Sequence, residues 1–271
     1  LRELGLTRNP SVRCDRVPDE PGAEMQHDTT VYQIKLAGKR TKLIASLIYL
    51  RYSKRRYLKF YRVFNRFAMK CFFHEALMFW GFAAGRCIID NTNLARLRGA
   101  GGQAIIVPEM RAFSGRYGFQ FVCHAIGHAN RKAGEERSFW TVETNFFPGR
   151  TFDSLEDLNQ QARAWCEQIA NRKPKRSLGM STEAAYVLEK PHLLSLPAYL
   201  PPVYQAFTRI VDVEGYVFLD TNRYSVPERL IGKKVEVYKY PEAVKVLFRQ
   251  REVAKHPRLI GKRCGQSTLK E

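Results

Sequence analysis

Apolar and polar residues alternate along the chain between residues 24 and 63, which is the pattern of strands with one buried face. The alternation predicts three strands, at residues 24–36, 41–52 and 56–63. The connections between them, residues 37–40 and 53–55, are so short that consecutive strands must run antiparallel. We therefore predict an antiparallel meander at the start of the folded region.

The period then changes to that of a helix. Apolar residues recur at helical spacing and predict a helix over residues 65–84, followed by a short buried strand at 86–90 that is parallel to the first strand if the helix crosses over. Further helices are predicted at 108–117, from 132 or 134 to 146, at 154–171 with Ser154 as N-cap, and at 182–189, with a strand at 119–124. Strands alternating with helices indicate an α/β domain.

Beyond residue 203 the period is two again, for example at Val235/Val237 and Val244/Val246, with turn residues at short intervals. This predicts a small all-β, barrel-like domain. We therefore divide the chain into a lead-in segment (1–22), an α/β core (23–171), a linker (172–202) that opens with a basic run, a small β-barrel (203–258) with a possible role in DNA binding, and a basic tail (259–271).

Charge points to a polyanionic partner. The chain carries 45 Lys and Arg against 26 Asp and Glu, a formal net charge of +19. Between residues 29 and 74 there are 12 basic residues and no acidic one. Such a stretch favours nucleic acid over a plain solvated surface, which normally mixes both signs, and over an anionic membrane. The residues expected to contact phosphates lie at the two hairpin turns: Lys39, Arg40, Lys54, Arg55 and Arg56.

Nothing in the sequence predicts a membrane span or a disulfide framework. The most apolar window, residues 76–89, is too short to cross a bilayer and contains Arg86. The six cysteines are scattered without a C-x-x-C pair, which is typical of a protein in the reducing cytoplasm.

Three acidic residues stand in contexts that predict one metal site. Asp28 lies in the first strand, Asp90 follows the apolar run Cys87-Ile88-Ile89, and Glu136 falls at the start of a predicted helix. Carboxylates are ligands that Mg²⁺ prefers, and two such ions can clamp the attacking and leaving oxygens of a phosphodiester. The alternative is that three of 26 acids are ordinary surface residues. An acid at the end of an apolar strand argues against this alternative, because catalytic residues collect at strand ends in α/β folds.

The segments around these acids resemble the IstA-type transposases, a branch of the retroviral-integrase-like D-D-E superfamily. The resemblance rests on PGAEMQHD ending at Asp28, on IIDN around Asp90, on ERS at Glu136 with Asn145-Phe146 downstream, and on NRYSVP at residues 222–227. It extends from about residue 20 to residue 258. It implies a ribonuclease H-like catalytic core, a mixed sheet flanked by helices, followed by the small β domain.

Two positions depart from the pattern that the resemblance implies. Thr29 stands where an aromatic residue is expected after the first acid, and Glu135 stands where an apolar residue is expected before the third. Adjacent helical residues point about 100° apart, so only one of Glu135 and Glu136 can face the metal. Periodicity does not choose between them, whereas the downstream match selects Glu136. The helix-turn-helix region expected at the N-terminus of such a transposase is absent from this sequence, which predicts a fragment or a split product.

The resemblance implies a polynucleotidyl transferase with Asp28, Asp90 and Glu136 as catalytic metal ligands for two Mg²⁺ or Mn²⁺ ions. The enzyme would cleave transposon ends and join them to target DNA, with water and then a 3′-hydroxyl as nucleophiles. It also implies a homo-multimer on DNA, a helper ATPase of the AAA+ class, and a place at the bacterial nucleoid in the cytoplasm. Two alternatives stay open: an inactive fragment that only binds DNA, and a ribonuclease H-like nuclease that cuts without joining.

Overall fold

The computed structural model describes residues 19–124, 139–172, 174 and 178–269. Its first three strands, β1 (Glu24–Leu36), β2 (Lys39–Leu50) and β3 (Arg56–Tyr61), form the predicted antiparallel meander. The β1–β2 turn is shorter than expected, because it consists of Ala37 and Gly38 alone, with φ of 45° and 79°. Two consecutive residues with positive φ are typical of a tight hairpin turn.

The first helix, α1 (Arg66–Trp80), crosses from the meander to the parallel part of the sheet. Asn65 caps its start by accepting a hydrogen bond from the Ala68 N–H at 3.0 Å. We predicted that this helix ends near residue 84, and that was wrong. Gly81 ends it in the left-handed conformation (φ 79°), where a residue with a side chain is strained.

The chain then adds two strands and a helix to the core. These are β4 (Phe82–Ala83), β5 (Arg86–Ile89), β6 (Arg96–Arg98), β7 (Ile105–Ile106), α2 (Pro108–Gly115) and β8 (Gln120–Cys123). The main sheet has the order β3-β2-β1-β5-β8, with β1, β5 and β8 parallel and β2 antiparallel to its neighbours. This mixed sheet with flanking helices confirms the predicted ribonuclease H-like fold class.

Helices cover both faces of the main sheet. On one face α1 and α2 pack over a core that contains Met25, Ile48 and Ile89. On the other face α3 (Leu155–Arg172) and a helical segment at residues 139–146 pack over a second core that contains Leu47 and Leu58. Ser154 caps α3 as predicted, accepting from the Asp157 N–H at 3.0 Å.

The segment after α3 is folded against the core over much of its length. Helix α4 (Thr182–Glu189) is followed by β9 (Leu194–Ser195), which pairs with β4. The Tyr186 hydroxyl donates to the Trp80 carbonyl at 2.6 Å, and the buried Glu189 carboxylate accepts from the backbone N–H groups of Gly22 and Ser53. The part of the predicted linker that the structure describes from residue 178 to 195 therefore belongs to the core surface, and the domain limits themselves stay a prediction.

The C-terminal region is all-β. It contains β10 (Gln205–Ile210), β11 (Tyr216–Leu219), β12 (Asn222–Ser225), β13 (Lys234–Lys239), β14 (Ala243–Phe248), β15 (Arg251–Pro257) and β16 (Gln266–Ser267), arranged in a four-stranded and a three-stranded sheet. The predicted burial of Val235, Val237, Val244 and Val246 is confirmed. Throughout the described part of the chain, every helix is too short or too polar to cross a membrane.

Candidate functional site

Asp28 and Asp90 lie next to each other at the centre of the main sheet. Strands β1 and β5 pair in parallel, and the last registered pair is His27 with Ile89. Asp28 and Asp90 each follow that pair by one position, so the same register sets them side by side. Neighbouring strands are about 4.8 Å apart, which places the two side chains within reach of a shared cation. Both residues are partly exposed.

Both acids also share a face of the sheet. Side chains alternate between the faces of a strand, and the residues that precede the acids, His27 and Ile89, lie on the α1 face. Asp28 pairs across β2 with Leu47, which belongs to the core under α3 and residues 139–146. The two acids therefore face the side on which the helical segment 139–146 packs.

The edge beside Asp90 carries further oxygen atoms. The Asn91 side-chain N–H group donates to the His124 carbonyl at 3.3 Å, and the Asn91 Oδ1 atom is buried without a hydrogen-bond partner among the described residues. The Asp28 carboxylate accepts from the Thr29 N–H at 2.6 Å. The donor set at this edge is thus made of carboxylate and amide oxygens, which suit a hard divalent cation.

His27 is excluded from this edge by its orientation. Its ring is buried among Phe64, Phe72 and Phe73, and its Nε2 atom lies 2.8 Å from the Ser46 hydroxyl. Burial lowers the pKa of His27 to about 3, because an imidazolium would lose its hydration there. His27 is therefore a neutral core residue that anchors β1 to α1.

The third predicted acid, Glu136, and its neighbour Glu135 lie outside the described residues. The helical segment that follows is described from residue 139, and residues 142–146 form a π-helical turn. Phe139, Val142 and Phe146 are buried against the sheet, whereas Trp140 and Glu143 are exposed. Within the described residues no three His, Cys, Asp or Glu side chains cluster into a metal site.

Two side-chain hydrogen bonds hold this segment in place, and neither was anticipated from the sequence. The Tyr32 hydroxyl on β1 donates to Glu143 Oε1 at 3.0 Å, and Trp165 Nε1 on α3 donates to Asn145 Oδ1 at 2.9 Å. Tyr32 lies four positions after Asp28, which is the only sequence signal that sets it on the same face.

The five basic residues predicted to contact DNA fall into two groups. Lys39 and Arg40 are exposed at the β1–β2 turn and form no ion pair with another described residue. Lys54 pairs with Asp19 at 2.8 Å, and Arg55 pairs with Glu183. Arg56 is buried, with its guanidinium 5.7 Å from the centre of the Trp165 ring, and burial lowers its pKa. The DNA contact itself stays a prediction, and this geometry supports it at the first turn only.

A cleft of about 950 Å³ separates the core from the β region. Exposed basic side chains stand along it, Arg62 from the core and Lys262 and Arg263 from the C-terminal segment. Other lysines of its wall are neutralised, since Lys59 pairs with Glu75 at 2.6 Å and Lys239 with Asp220 at 2.6 Å. The net charge along the cleft rim is positive.

Comparison with known proteins identifies relatives over nearly the whole chain. The transposase for insertion sequence element IS21 of Pseudomonas aeruginosa is 27% identical over 272 residues, which is 97% of this chain and 67% of that protein. A transposase of Aminobacter aminovorans is 28% identical over 89% of this chain and 48% of its own length. A putative transposase for element IS5376 of Geobacillus stearothermophilus is 28% identical over 66% of this chain and 45% of its own length.

Residues 196–267 match the family described as Mu transposase, C-terminal domain. Among solved structures, a simian T-cell lymphotropic virus intasome chain aligns at 14% identity with a TM-score of 0.47, covering 92% of this chain and 81% of that one. The HTLV-2 integrase catalytic core in complex with magnesium aligns at 15% identity with a TM-score of 0.42, covering 61% and 97%.

The chain spans about half to two thirds of the length of the three curated relatives named above. The segments quoted from the sequence and the similarity over 97% of the chain agree in kind and in extent. By sequence, this chain is a homologue of the IS21-type insertion-sequence transposases.

Proposed function

We propose that this chain carries the catalytic core of a DNA transposase that cleaves transposon ends and joins them to target DNA. The observation that carries the proposal is the side-by-side placement of Asp28 and Asp90 in the β1–β5 register, in a homologue of transposases. Two adjacent carboxylates in a low-dielectric setting repel each other unless a cation lies between them. Their position is therefore better explained by a metal site than by stability.

The residues at this edge fit Mg²⁺ or Mn²⁺. Asp28 and Asp90 would hold the ions, with Glu136 as the third ligand, and the unpartnered Asn91 Oδ1 lies at the same edge. Two bound ions would polarise the phosphodiester and stabilise the charge that develops on the attacking and leaving oxygens. The chain's own part is to hold these carboxylates in a fixed relative position on a rigid sheet, which lowers the entropy that the reaction must lose.

The described helix supports Glu136 over Glu135 as the third acid. Its buried residues, Phe139, Val142 and Phe146, define the stripe that faces the core. On the helix predicted from the sequence, residue 135 is seven positions before Val142 and falls within about 20° of that stripe. Residue 136 is seven positions before Glu143 and shares its side, the side that reaches β1 through Tyr32. We propose that Glu136 is the ligand.

DNA is the proposed partner, contacted by Lys39 and Arg40 at the exposed hairpin tip. Because transposon ends come in pairs, we further propose that the enzyme acts as a multimer on paired ends. A helper ATPase and a place at the bacterial nucleoid are proposed from the resemblance alone.

The test supplies the chain with pre-cut transposon-end DNA, a target plasmid and Mg²⁺ or Mn²⁺. Joined products that disappear with chelator and with Asp90→Asn are expected. Asp153→Asn, a change at an exposed acid of the loop before α3, is the matched control and should keep activity. Nicked DNA without joined products would favour a nuclease, and tight binding without any reaction would favour an inactive DNA-binding fragment.

A further inference from the structure

The contact between Tyr32 and Glu143 joins the two elements that the proposed active site needs to hold together. Tyr32 stands on β1, four residues after Asp28, and Glu143 stands on the helical segment, seven residues after Glu136. The Tyr32 ring also packs edge-on against Phe147, with ring centres 5.1 Å apart, and lies 6.4 Å from Phe139. The contact thus combines one hydrogen bond with two aromatic neighbours.

The direction of the segment is set by a second contact further along. The Ala37 N–H at the end of β1 donates to the Phe152 carbonyl at 2.8 Å. Since Tyr32 meets Glu143 and Ala37 meets Phe152, residue numbers rise together in β1 and in the packed segment. Moving back from the Tyr32–Glu143 contact therefore leads toward Asp28 on the strand and toward residue 136 on the predicted helix.

The two distances from that contact match. Four strand residues span about 13 Å, from Tyr32 to Asp28. Seven helical residues span about 10.5 Å and bring the side chain back to within about 20° of the same side. Glu136 on the predicted helix is therefore level with Asp28, and Glu135 would be turned about 80° away from the Glu143 side.

The segment is also fixed from behind, which makes Tyr32 the contact on the metal side. Trp165 on α3 holds Asn145 and packs against Phe146, with ring centres 5.3 Å apart. The π-helical turn at residues 142–146 lies between these two anchors. Such turns are frequent at functional sites because they shift the phase of the helix on one side of the turn.

We infer that the Tyr32–Glu143 hydrogen bond is a positioning contact that sets the height of Glu136 against Asp28 and Asp90, an inference that rests on the proposed function. Tyr32 and Glu143 touch neither the substrate nor the metal in this arrangement. Their effect is exerted through the helix and should change metal affinity more than the rate at saturating metal. Burial and the neighbouring Glu143 carboxylate raise the pKa of Tyr32, which keeps its hydroxyl protonated as the donor.

The test uses four variants of the whole chain. Tyr32→Phe and Glu143→Ala each remove the bond, whereas Glu143→Gln keeps an acceptor oxygen for the Tyr32 hydroxyl. Tyr57→Phe is the matched control, because its hydroxyl donates to the Glu75 carboxylate at 3.1 Å on the opposite face of the same sheet. Mn²⁺ binding to the chain without DNA is measured by electron paramagnetic resonance, and joining rates are measured over a Mg²⁺ titration.

Tyr32→Phe and Glu143→Ala should weaken Mn²⁺ binding and raise the half-saturating Mg²⁺ concentration about three- to tenfold, the usual effect of one partly exposed hydrogen bond. The joining rate at saturating Mg²⁺ should change by less than about twofold. Glu143→Gln and Tyr57→Phe should match the unchanged chain.

Unchanged metal affinity in both Tyr32→Phe and Glu143→Ala, in a chain that joins DNA, would overturn the inference and leave the proposed function intact. A chain that binds Mn²⁺ but joins no DNA would reject the proposed function, and the Mn²⁺ affinities of the variants would still decide the inference. A chain that binds no Mn²⁺ would reject both. Circular dichroism of each variant checks that it is folded.

Discussion

Arg55 forms an ion pair with Glu183, a residue 128 positions further along the chain, and its guanidinium lies 4.4 Å from the centre of the Tyr186 ring. The segment 29–74 has no acid of its own, but acids from elsewhere in the chain reach its basic residues. Asp19 pairs with Lys54, Glu75 with Lys59 and Glu109 with Lys70. The exposed positive charge is therefore concentrated at the β1–β2 turn.

This distribution predicts a difference in the salt dependence of DNA binding. Replacing Lys39 and Arg40 by Gln should reduce the slope of log K against log salt by roughly 0.9 for each phosphate that is no longer neutralised. Replacing Lys54 and Arg55 by Gln is the matched control and should leave the slope nearly unchanged, because these side chains are already paired. Fluorescence anisotropy at several salt concentrations measures both. Equal slopes for the two double variants would show that the second turn also contacts DNA.

The choice of the third acid predicts unequal effects of two neighbouring substitutions. Glu136→Gln should lower metal-dependent joining by about a hundredfold or more, because removing a metal ligand removes several kcal/mol of transition-state stabilisation. Glu135→Gln should retain most of the activity and serves as the control one residue away. Rates of strand transfer with pre-cut ends measure the difference. The reverse order of effects would place Glu135 at the metal instead.

His256 predicts a pH dependence of stability in the β region. Its ring is buried, its Nε2–H donates to the Ser225 carbonyl at 2.8 Å, and its Nδ1 accepts from the Ser267 hydroxyl at 3.0 Å. Burial lowers the pKa of His256 below its ordinary value of 6.5. The unfolded chain therefore binds a proton that the folded chain does not, so the contribution is complete above pH 6.5 and is lost as the pH falls below it.

Urea unfolding between pH 7.5 and 5 should show this directly. The free energy of unfolding should fall with decreasing pH, and His256→Gln should reduce that slope by up to about 1.4 kcal/mol per pH unit. His192→Gln, a change at an exposed histidine, is the control and should leave the slope as it was. A slope that is the same in all three proteins would contradict the assignment of a neutral, buried His256.

Glu189 predicts a stability effect within α4. Its buried carboxylate accepts from the Gly22 and Ser53 N–H groups at 3.1 and 3.2 Å, and burial raises its pKa. Glu189→Ala would leave two buried donors unpaired, at about 1–3 kcal/mol for each. Glu183→Ala on the same helix removes a half-exposed ion pair and should lower stability by no more than about 1 kcal/mol. Thermal or urea unfolding distinguishes the two, and equal losses would contradict the structural role of Glu189.

Local patterns accounted for much of the fold. The bounds of β1 and α4 are those predicted, because strand alternation and helix capping act over a few residues. The misses have local causes as well: Gly81 ended α1 early, and Val217 and Leu219 are the buried residues of β11 where Tyr216 and Phe218 were expected. A period of two fixes alternation but not which of the two faces is inside.

Contacts between distant residues were beyond the reach of the sequence. The adjacency of Asp28 and Asp90 follows from a register that requires a parallel crossover, and it was anticipated only through the order of the motifs. The partners of Lys54 and Arg55 come from residues 19 and 183, so no window of sequence contains them. The Tyr32–Glu143 bond spans 111 positions and leaves no periodic trace.

The docking of α4 and β9 on the core limits how far the β region can travel. With Ser195 held in the β4–β9 pair, the covalent connection to β10 consists of the nine residues from 196 to 204. Fully extended, nine residues reach about 30 Å. A free tether over the 31 residues from 172 to 202 would reach about 100 Å. The β region is thus confined to a search volume smaller by a factor of roughly 40, which raises its effective concentration next to its own core.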